Sequence, residues 1–186
     1  MKTGIEKQIF LTFDDGPTPE ITTQVLLLLK EFQVKATFFC LGKNVETHPE
    51  IFREIIEQGH VAGNHTYSHP NGWKTSDKIY LDDIDKASQF IKSKLFRPPY
   101  GKISPLQWLY LRKKYRIALW TCLSKDYSEK LSNNKIFSRI VKATHPGAII
   151  VFHDSKKAWQ KLKNVLPEYL EYLKSENYKC LPLKND

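Results

Sequence analysis

Seven short apolar, β-prone runs, separated by segments with helical periodicity, constrain this chain more than any other feature of its sequence. The runs are Ile9–Phe13, Ala36–Cys40, Val61–Ala62, Phe96–Arg97, Ile117–Trp120, Ala148–Phe152 and Tyr178–Leu181. After the first, Ile21, Val25, Leu28, Leu29 and Phe32 recur at the period of a buried helix face, with Thr18 as its cap and Pro19 in its first turn. Pro49 opens a second helix through Ile51, Phe52, Ile55 and Ile56, which Gly59 stops, and Ser76 caps a third that runs to about Leu95. Ser104-Pro105 begins a fourth, a fifth lies near Ile136 to Ala143, and the last buries Leu162, Val165, Leu166, Tyr169, Leu170 and Leu173. Strands alternating with helices imply a parallel sheet joined by right-handed crossovers. With no repeat or linker in its 186 residues, the chain is expected to form one α/β domain over residues 1–186.

An open doubly wound sheet satisfies this alternation, and so does a barrel. The residues that can carry chemistry stand at the ends of the first, third, fourth, fifth and sixth runs. A barrel gathers many strand ends around one mouth, whereas an open sheet gathers only those near its switch point. The expectation is therefore a small, distorted (β/α) barrel, seven-stranded and incompletely closed.

The first run stops on Asp14-Asp15, followed by Gly16-Pro17. Successive side chains of an extended chain point to opposite sides, so the two carboxylates can serve different partners, one a metal and the other a proton. The plain alternative is a strand followed by an acidic turn. His65 and His69 follow the third run. On one helical turn, residues four apart bring two imidazoles close enough to share one zinc ion. The plain alternative is two satisfied polar side chains. A carboxylate from the first strand would complete a His-His-Asp set that leaves room for water and substrate. Arg97-Pro98-Pro99-Tyr100-Gly101 is a stiff loop in which only Tyr100 and Gly101 of the last four offer backbone N–H groups. His153 ends the sixth run, and Trp120 and Tyr127 are core or rim aromatics on spacing alone.

Taken together, these stretches resemble one family, the polysaccharide deacetylases of carbohydrate esterase family 4, or NodB-homology domain. The resemblance runs in order from about Lys7 to Pro182. It rests on Thr-Phe-Asp-Asp-Gly-Pro at 12–17, His-Thr-Tyr-Ser-His at 65–69 and Arg-Pro-Pro-Tyr-Gly at 97–101, then on the Trp120 to Tyr127 segment and Ile-Ile-Val-Phe-His-Asp at 149–154. It implies a distorted (β/α) barrel and metal-dependent removal of acetyl groups from N-acetylated sugars in a glycan or glycolipid. It implies Asp15, His65 and His69 as metal ligands, Asp14 as general base with Arg97 as its orienting partner, and the Tyr100 N–H as an oxyanion donor. His153 is implied as general acid with Asp126 as the carboxylate that tunes it, and Trp120, Tyr127 and Val151 as substrate contacts. The cation expected is zinc, with cobalt, nickel or manganese as alternatives. Leu123 stands where the family often has a further aspartate, Tyr127 replaces a frequent tryptophan, and Val151 a frequent leucine. Two other functions remain open at this stage: a polysaccharide O-acetyl esterase, and a glycan-binding module without catalysis.

Composition adds limits. The net charge is +9, partly from Arg112-Lys113-Lys114-Tyr115-Arg116 and from Lys156, Lys157, Lys161 and Lys163. Such runs usually form solvated helix faces, and here they can also favour an anionic polymer or a membrane surface. No nucleic-acid reader motif accompanies them, so no nucleic-acid partner is expected. No apolar run reaches the roughly 20 residues of a membrane span. The first ten residues lack a leader pattern, so the expectation is a cytoplasmic chain or one whose leader has been removed. Cys40, Cys122 and Cys180 are too few and too scattered for a disulfide framework or a cysteine zinc site.

Overall fold

A computed structural model describes residues 7–185; residues 1–6, on which part of the leader expectation rests, lie outside it. Its strands are β1 (Gln8–Asp14), β2 (Thr37–Cys40), β3 (Val61–Asn64), β4 (Leu95–Phe96), β5 (Arg116–Ile117), β6 (Cys122–Leu123), β7 (Ile149–His153) and β8 (Lys179–Cys180). Seven of them form a curled parallel sheet in the order β5-β4-β3-β2-β1-β7-β6. β5 and β6 end that order on opposite sides, so the barrel is distorted and has an open seam between them. β8 pairs with Gln8 and Ile9 at the start of β1, below β2 on the same edge.

The helices are α1 (Ile21–Glu31), α2 (Gly42–Thr47), α3 (Pro49–Glu57), α4 (Asp77–Ala87), α5 (Pro105–Leu111), α6 (Asn133–Lys142) and α7 (Lys156–Ser175). α5 starts as its sequence predicts: the Ser104 hydroxyl accepts from Gln107 N–H while the Gln107 side chain accepts from Ser104 N–H, a closed capping box. Three elements differ from expectation. α1 begins at Ile21 because Thr18 spends its amide on the Thr22 hydroxyl in a turn outside the helix. α4 stops at Ala87, after which the chain turns rather than continuing to Leu95. Of the run Ile117–Trp120 only Ile117 lies in a strand, β5, since the Ala118 and Leu119 carbonyls turn to the Arg97 guanidinium (3.1 and 3.4 Å), and the next strand, β6, begins beyond the run at Cys122.

Alternation along β1 and β7 sorts the molecule into two faces. Ile9, Leu11 and Phe13 of β1, with Ile150 and Phe152 of β7, point outward into the main core under α1 and α7. There Phe13 stacks on Phe38 and Phe152 at 5.0 and 5.8 Å. Residues such as Leu29 and Leu166 are fully packed in this layer, and truncating either to Ala costs about 2–5 kcal/mol. The inward face is different. At the floor of the half-barrel Phe39, Leu95 and Ala118 meet Leu183, whose amide donates to Thr37 Oγ1 at 2.8 Å. Toward the C-terminal strand ends the inward side chains turn polar: Thr12, Asp14 and Arg97 are all buried. Among the described residues no helix is long and apolar enough to cross a membrane.

Candidate active site

Asp14 ends β1 on its inward face, and Asp15 follows just beyond the strand. Asp14 turns inward, where its Oδ1 accepts from Arg97 Nη1 at 2.7 Å, and the same nitrogen donates to Thr12 Oγ1 at 2.8 Å. Arg97 is completely buried, with its guanidinium 4.0 Å from the Phe39 ring centroid and 5.8 Å from that of Trp120. Burial works against its charge and lowers its pKa, and Asp14 offsets part of that loss by charge and hydrogen bond, so neither group is tolerable in this layer without the other. The hydrogen bonds hold Asp14 by one oxygen and leave Oδ2 for exchange with a substrate or water.

Asp15 sits at φ 84°, and Thr66, His69 and Tyr100 also have positive φ, at 70°, 64° and 59°. Such conformations cost roughly 1–3 kcal/mol each in a non-glycine residue and persist only where their surroundings hold them. Here they are held. Asn44 of α2 donates to Asp15 O at 2.7 Å, and Leu41 N–H to Gly16 O at 2.9 Å. Asp83 of α4 receives the Tyr67 and Ser68 amides at 2.7 and 3.0 Å and the Ser68 hydroxyl at 2.6 Å. His65 and His69 are therefore neighbours across a strained loop and not on a helical turn, and their ring centroids lie 5.1 Å apart.

The three side chains converge. Asp15 Oδ1 lies 3.8 Å from His65 Nε2 and 3.3 Å from His69 Nε2. One ligand atom from each lies within 4.8 Å of the other two. His65 Nδ1 contacts Arg97 O at 2.7 Å. A carbonyl only accepts, so that nitrogen carries a proton and Nε2 is the ring nitrogen turned toward Asp15. Burial, with the neighbouring His65 next in effect, pushes His69 down to about 4, which leaves its ring neutral at ordinary pH. Asp15 Oδ1 is buried and has no hydrogen-bond donor among the described residues. A carboxylate oxygen and two imidazole nitrogens facing one point fit a divalent cation with N and O ligands.

His153 closes β7 directly beside Asp14, its register partner on β1. Asp126 grips it twice, accepting from His153 N–H through Oδ2 and pairing with Nδ1 through Oδ1, both at 2.8 Å. Burial alone would lower the imidazole, but the hydrogen bond and charge of Asp126, reinforced by Asp14 and Asp15, raise it from 6.5 to about 9. Tyr127 meets the His153 ring edge-on at 5.0 Å. Val151, two residues before His153, is fully buried and in register with Thr12 and Leu123. Trp120 closes on the Arg97 loop at Gly101, where a Cβ would lie 2.7 Å from its ring. The Tyr100 amide has no acceptor among the described residues, because Gly101 and Lys102 take the Pro98 and Pro99 carbonyls.

All the residues singled out from the sequence thus gather at one end of the sheet. Asp83 and Asn44 were not among them, and neither was Asp154, which is wholly buried. Its Oδ1 accepts from Gly16 N–H at 3.0 Å and its Oδ2 from the Thr22 hydroxyl at 2.6 Å. Its own N–H donates to Asp14 O at 3.2 Å. Burial, with Asp15 adding to it, raises Asp154 to about 7 despite these donors. Asp154 therefore stitches the end of β7 to the turn that carries Asp15. A Cβ on Gly16 would lie 2.0 Å from its Oδ2, so only glycine fits in that turn.

Residues 1–116 match the family model described as polysaccharide deacetylase. A peptidoglycan-N-acetylglucosamine deacetylase of Bacillus cereus is 38% identical over 156 residues, 80% of this chain and 56% of that protein. A second protein of that name from the same organism is 32% identical over 182 residues, 94% of this chain and 85% of its own length. The chain thus spans little more than half the length of the first of these relatives and most of the second. A crystal structure of a peptidoglycan N-acetylglucosamine deacetylase in complex with 4-naphthalen-1-yl-N-oxidanyl-benzamide has the same fold, with a TM-score of 0.89 and 34% identity. That match covers 96% of this chain and 87% of the other.

Proposed function

This chain belongs to the polysaccharide deacetylase family, and we propose that it is a metal-dependent hydrolase that removes N-acetyl groups from hexosamine residues of a glycan or glycolipid. The observation that carries this reading is the buried, donorless Asp15 Oδ1 between two imidazole nitrogens, set beside a separate carboxylate and a proton-bearing histidine. Asp15, His65 and His69 would hold the cation. When bound, a divalent ion there supplies Lewis acidity to the amide carbonyl and makes water acidic near neutral pH; zinc fits the donor set best.

The rest is done by side chains of the protein. Asp14 accepts the proton of the attacking water through Oδ2, while Arg97 fixes its other oxygen. As the carbonyl carbon becomes tetrahedral, negative charge grows on its oxygen and the free Tyr100 N–H donates to it. An amide nitrogen leaves poorly unless it is protonated. His153, charged below about 9 through Asp126, donates from Nε2 as the C–N bond breaks. Tyr127, edge-on to the His153 ring, and Trp120, against the Arg97 loop, are the aromatics read as flanking the acetyl methyl group, with Val151 buried in register with Thr12. The products are acetate and a free amine on the sugar.

The test is acetate release from a panel of N-acetylated and O-acetylated glycans with zinc, cobalt or nickel added. Release from N-acetylated hexosamines is expected. Release from O-acetylated polymers alone would make the protein an esterase, and binding without release from either would make it a glycan-binding module.

A further inference from the structure

Trp73 is 67% exposed, yet its direction is fixed. Its indole N–H donates to Ile103 O at 3.1 Å, and its backbone amide donates to Asn71 Oδ1 at 3.0 Å. Lys102 Nζ lies 4.9 Å from the ring centroid. The loop of residues 69–73 and the loop of 100–104 are locked to each other. Gln107 Nε2 donates to Gly72 O at 3.0 Å, and a Cβ on Gly72 would lie 2.5 Å from Lys102 O. Both loops also carry proposed site residues: His69 begins the first and Tyr100 the second, their rings 4.7 Å apart. Four residues span at most about 14 Å, so Trp73 stands within that reach of His69.

Folding does not account for this arrangement. A tryptophan left mostly in water contributes little burial, and its hydrogen bond to Ile103 O and its contact with Lys102 fix it on the surface instead of drawing it into the core. A rigid exposed indole suits the apolar C–H face of a pyranose, and the Lys102 ammonium over the ring suits an anionic substituent carried beside it. We propose that Trp73 and Lys102 form a second sugar subsite on the His69 side of the cleft. It takes the pyranose next to the N-acetylated residue being cleaved and prefers one that bears a carboxylate. This inference rests on the glycan deacetylase reading.

The test compares three probes: an N-acetylglucosamine disaccharide, a long neutral N-acetylglucosamine oligomer, and an oligomer of equal length in which carboxylate-bearing hexosamines alternate. For each, KM and kcat of acetate release are measured on the zinc-loaded protein, and affinity is measured by calorimetry. Trp73→Ala should raise KM for both long oligomers about 3- to 10-fold with kcat held, and Trp73→Phe should recover most of the loss. Lys102→Gln should raise KM for the acidic oligomer only, by an amount that shrinks as salt is added. Equal KM for wild type and Trp73→Ala on the long oligomers overturns the subsite, and an equal effect of Lys102→Gln on neutral and acidic oligomers overturns its charge preference. Failure of the wild type to release acetate from any probe would fault the deacetylase reading. Calorimetry still decides the subsite then, since Trp73→Ala must weaken binding of the long oligomers for it to stand.

Discussion

Two groups of histidine and aspartate face each other across the end of β1, built from the same residue types with opposite protonation. In one, Asp126 and His153 meet at 2.8 Å with a proton between them, and the imidazole is raised to about 9. In the other, Asp15 lies 3.3 and 3.8 Å from His69 and His65 with no hydrogen bond, and His69 is lowered to about 4. Burial disfavours the imidazolium in both. The difference is where each carboxylate points: Asp126 accepts from the ring nitrogen directly, while Asp15 Oδ1 and both Nε2 atoms aim at one shared point. One group is arranged to hold a proton, and the other has a donor set compatible with a divalent cation. Asp14, paired with Arg97, stands between them.

The most severe break in this contrast is expected from Asp15→Ala. Two histidines alone make an incomplete cation site, so zinc content should fall from near one per chain to near zero and turnover to background. Circular dichroism should be unchanged, because the core under α1 and α7 does not involve the site. Elemental analysis of protein purified without chelator checks this. Asp14→Asn should instead keep the metal and lose about 10²- to 10⁴-fold in turnover, since the amide has the same shape but cannot take the proton. Metal loss in Asp14→Asn with retention in Asp15→Ala would exchange the two assignments.

The proton-holding group is tested by substrate choice. His153→Ala should cost about 10²- to 10⁴-fold on an N-acetyl substrate and far less on an activated acetate ester, whose leaving group needs no proton. Equal losses on both would contradict an acid role. A smaller effect is expected from pH. A general acid works only while protonated, so kcat/KM should hold up to the raised value of about 9 and decline above it. In Asp126→Asn that alkaline limb should move down toward or below 6.5, with little change at lower pH. The same linkage has a stability sign. The folded-state value is raised, so the contribution of His153 is fully present below 6.5 and is lost as pH rises through 9. A limb that does not move in Asp126→Asn would detach Asp126 from the titration.

Much of this was legible in the sequence because period-2 alternation is short-ranged. Apolar β1 ending on adjacent carboxylates, and apolar β7 ending on His153, determine which side chains face inward whatever the remote packing does. The His65–His69 pair was legible in identity but not in geometry. Its spacing equals a helical turn, whereas its conformation depends on Thr66 and His69 in the left-handed region and on Asp83, which arrives from α4. Asp83 carries no signal of its own, since a charge on an exposed helix reads as solvated. The helix α2 was missed because it is short, begins on glycine and has no capping side chain, yet its Asn44 holds Asp15. The early end of β5 at Ile117 was invisible because it follows from one buried guanidinium claiming the next two carbonyls.

Asp154 is the residue that alternation could have found. If His153 faces inward, the next side chain faces back toward α1, and there it meets Thr22 and the Gly16 amide. It touches neither half of the contrast directly, but it joins β7, which carries the acid, to the turn that carries Asp15. Asp154→Ala should therefore act on the cation site rather than on proton transfer. Without an acceptor for Gly16 N–H the turn loosens, and zinc affinity in a competition titration should fall about 10- to 100-fold, the usual cost of losing a supporting contact behind a ligand. Thr22→Val removes the hydroxyl's hydrogen bonds to Asp154 and from Thr18 N–H but leaves the carboxylate on Gly16 N–H, so its effect should be less than about tenfold. In both variants the alkaline limb set by His153 should stay where it is, because the Asp126 contacts are untouched. A shift of that limb in Asp154→Ala with zinc affinity preserved would place Asp154 with the proton-holding group, and the division between the two halves would have to be redrawn.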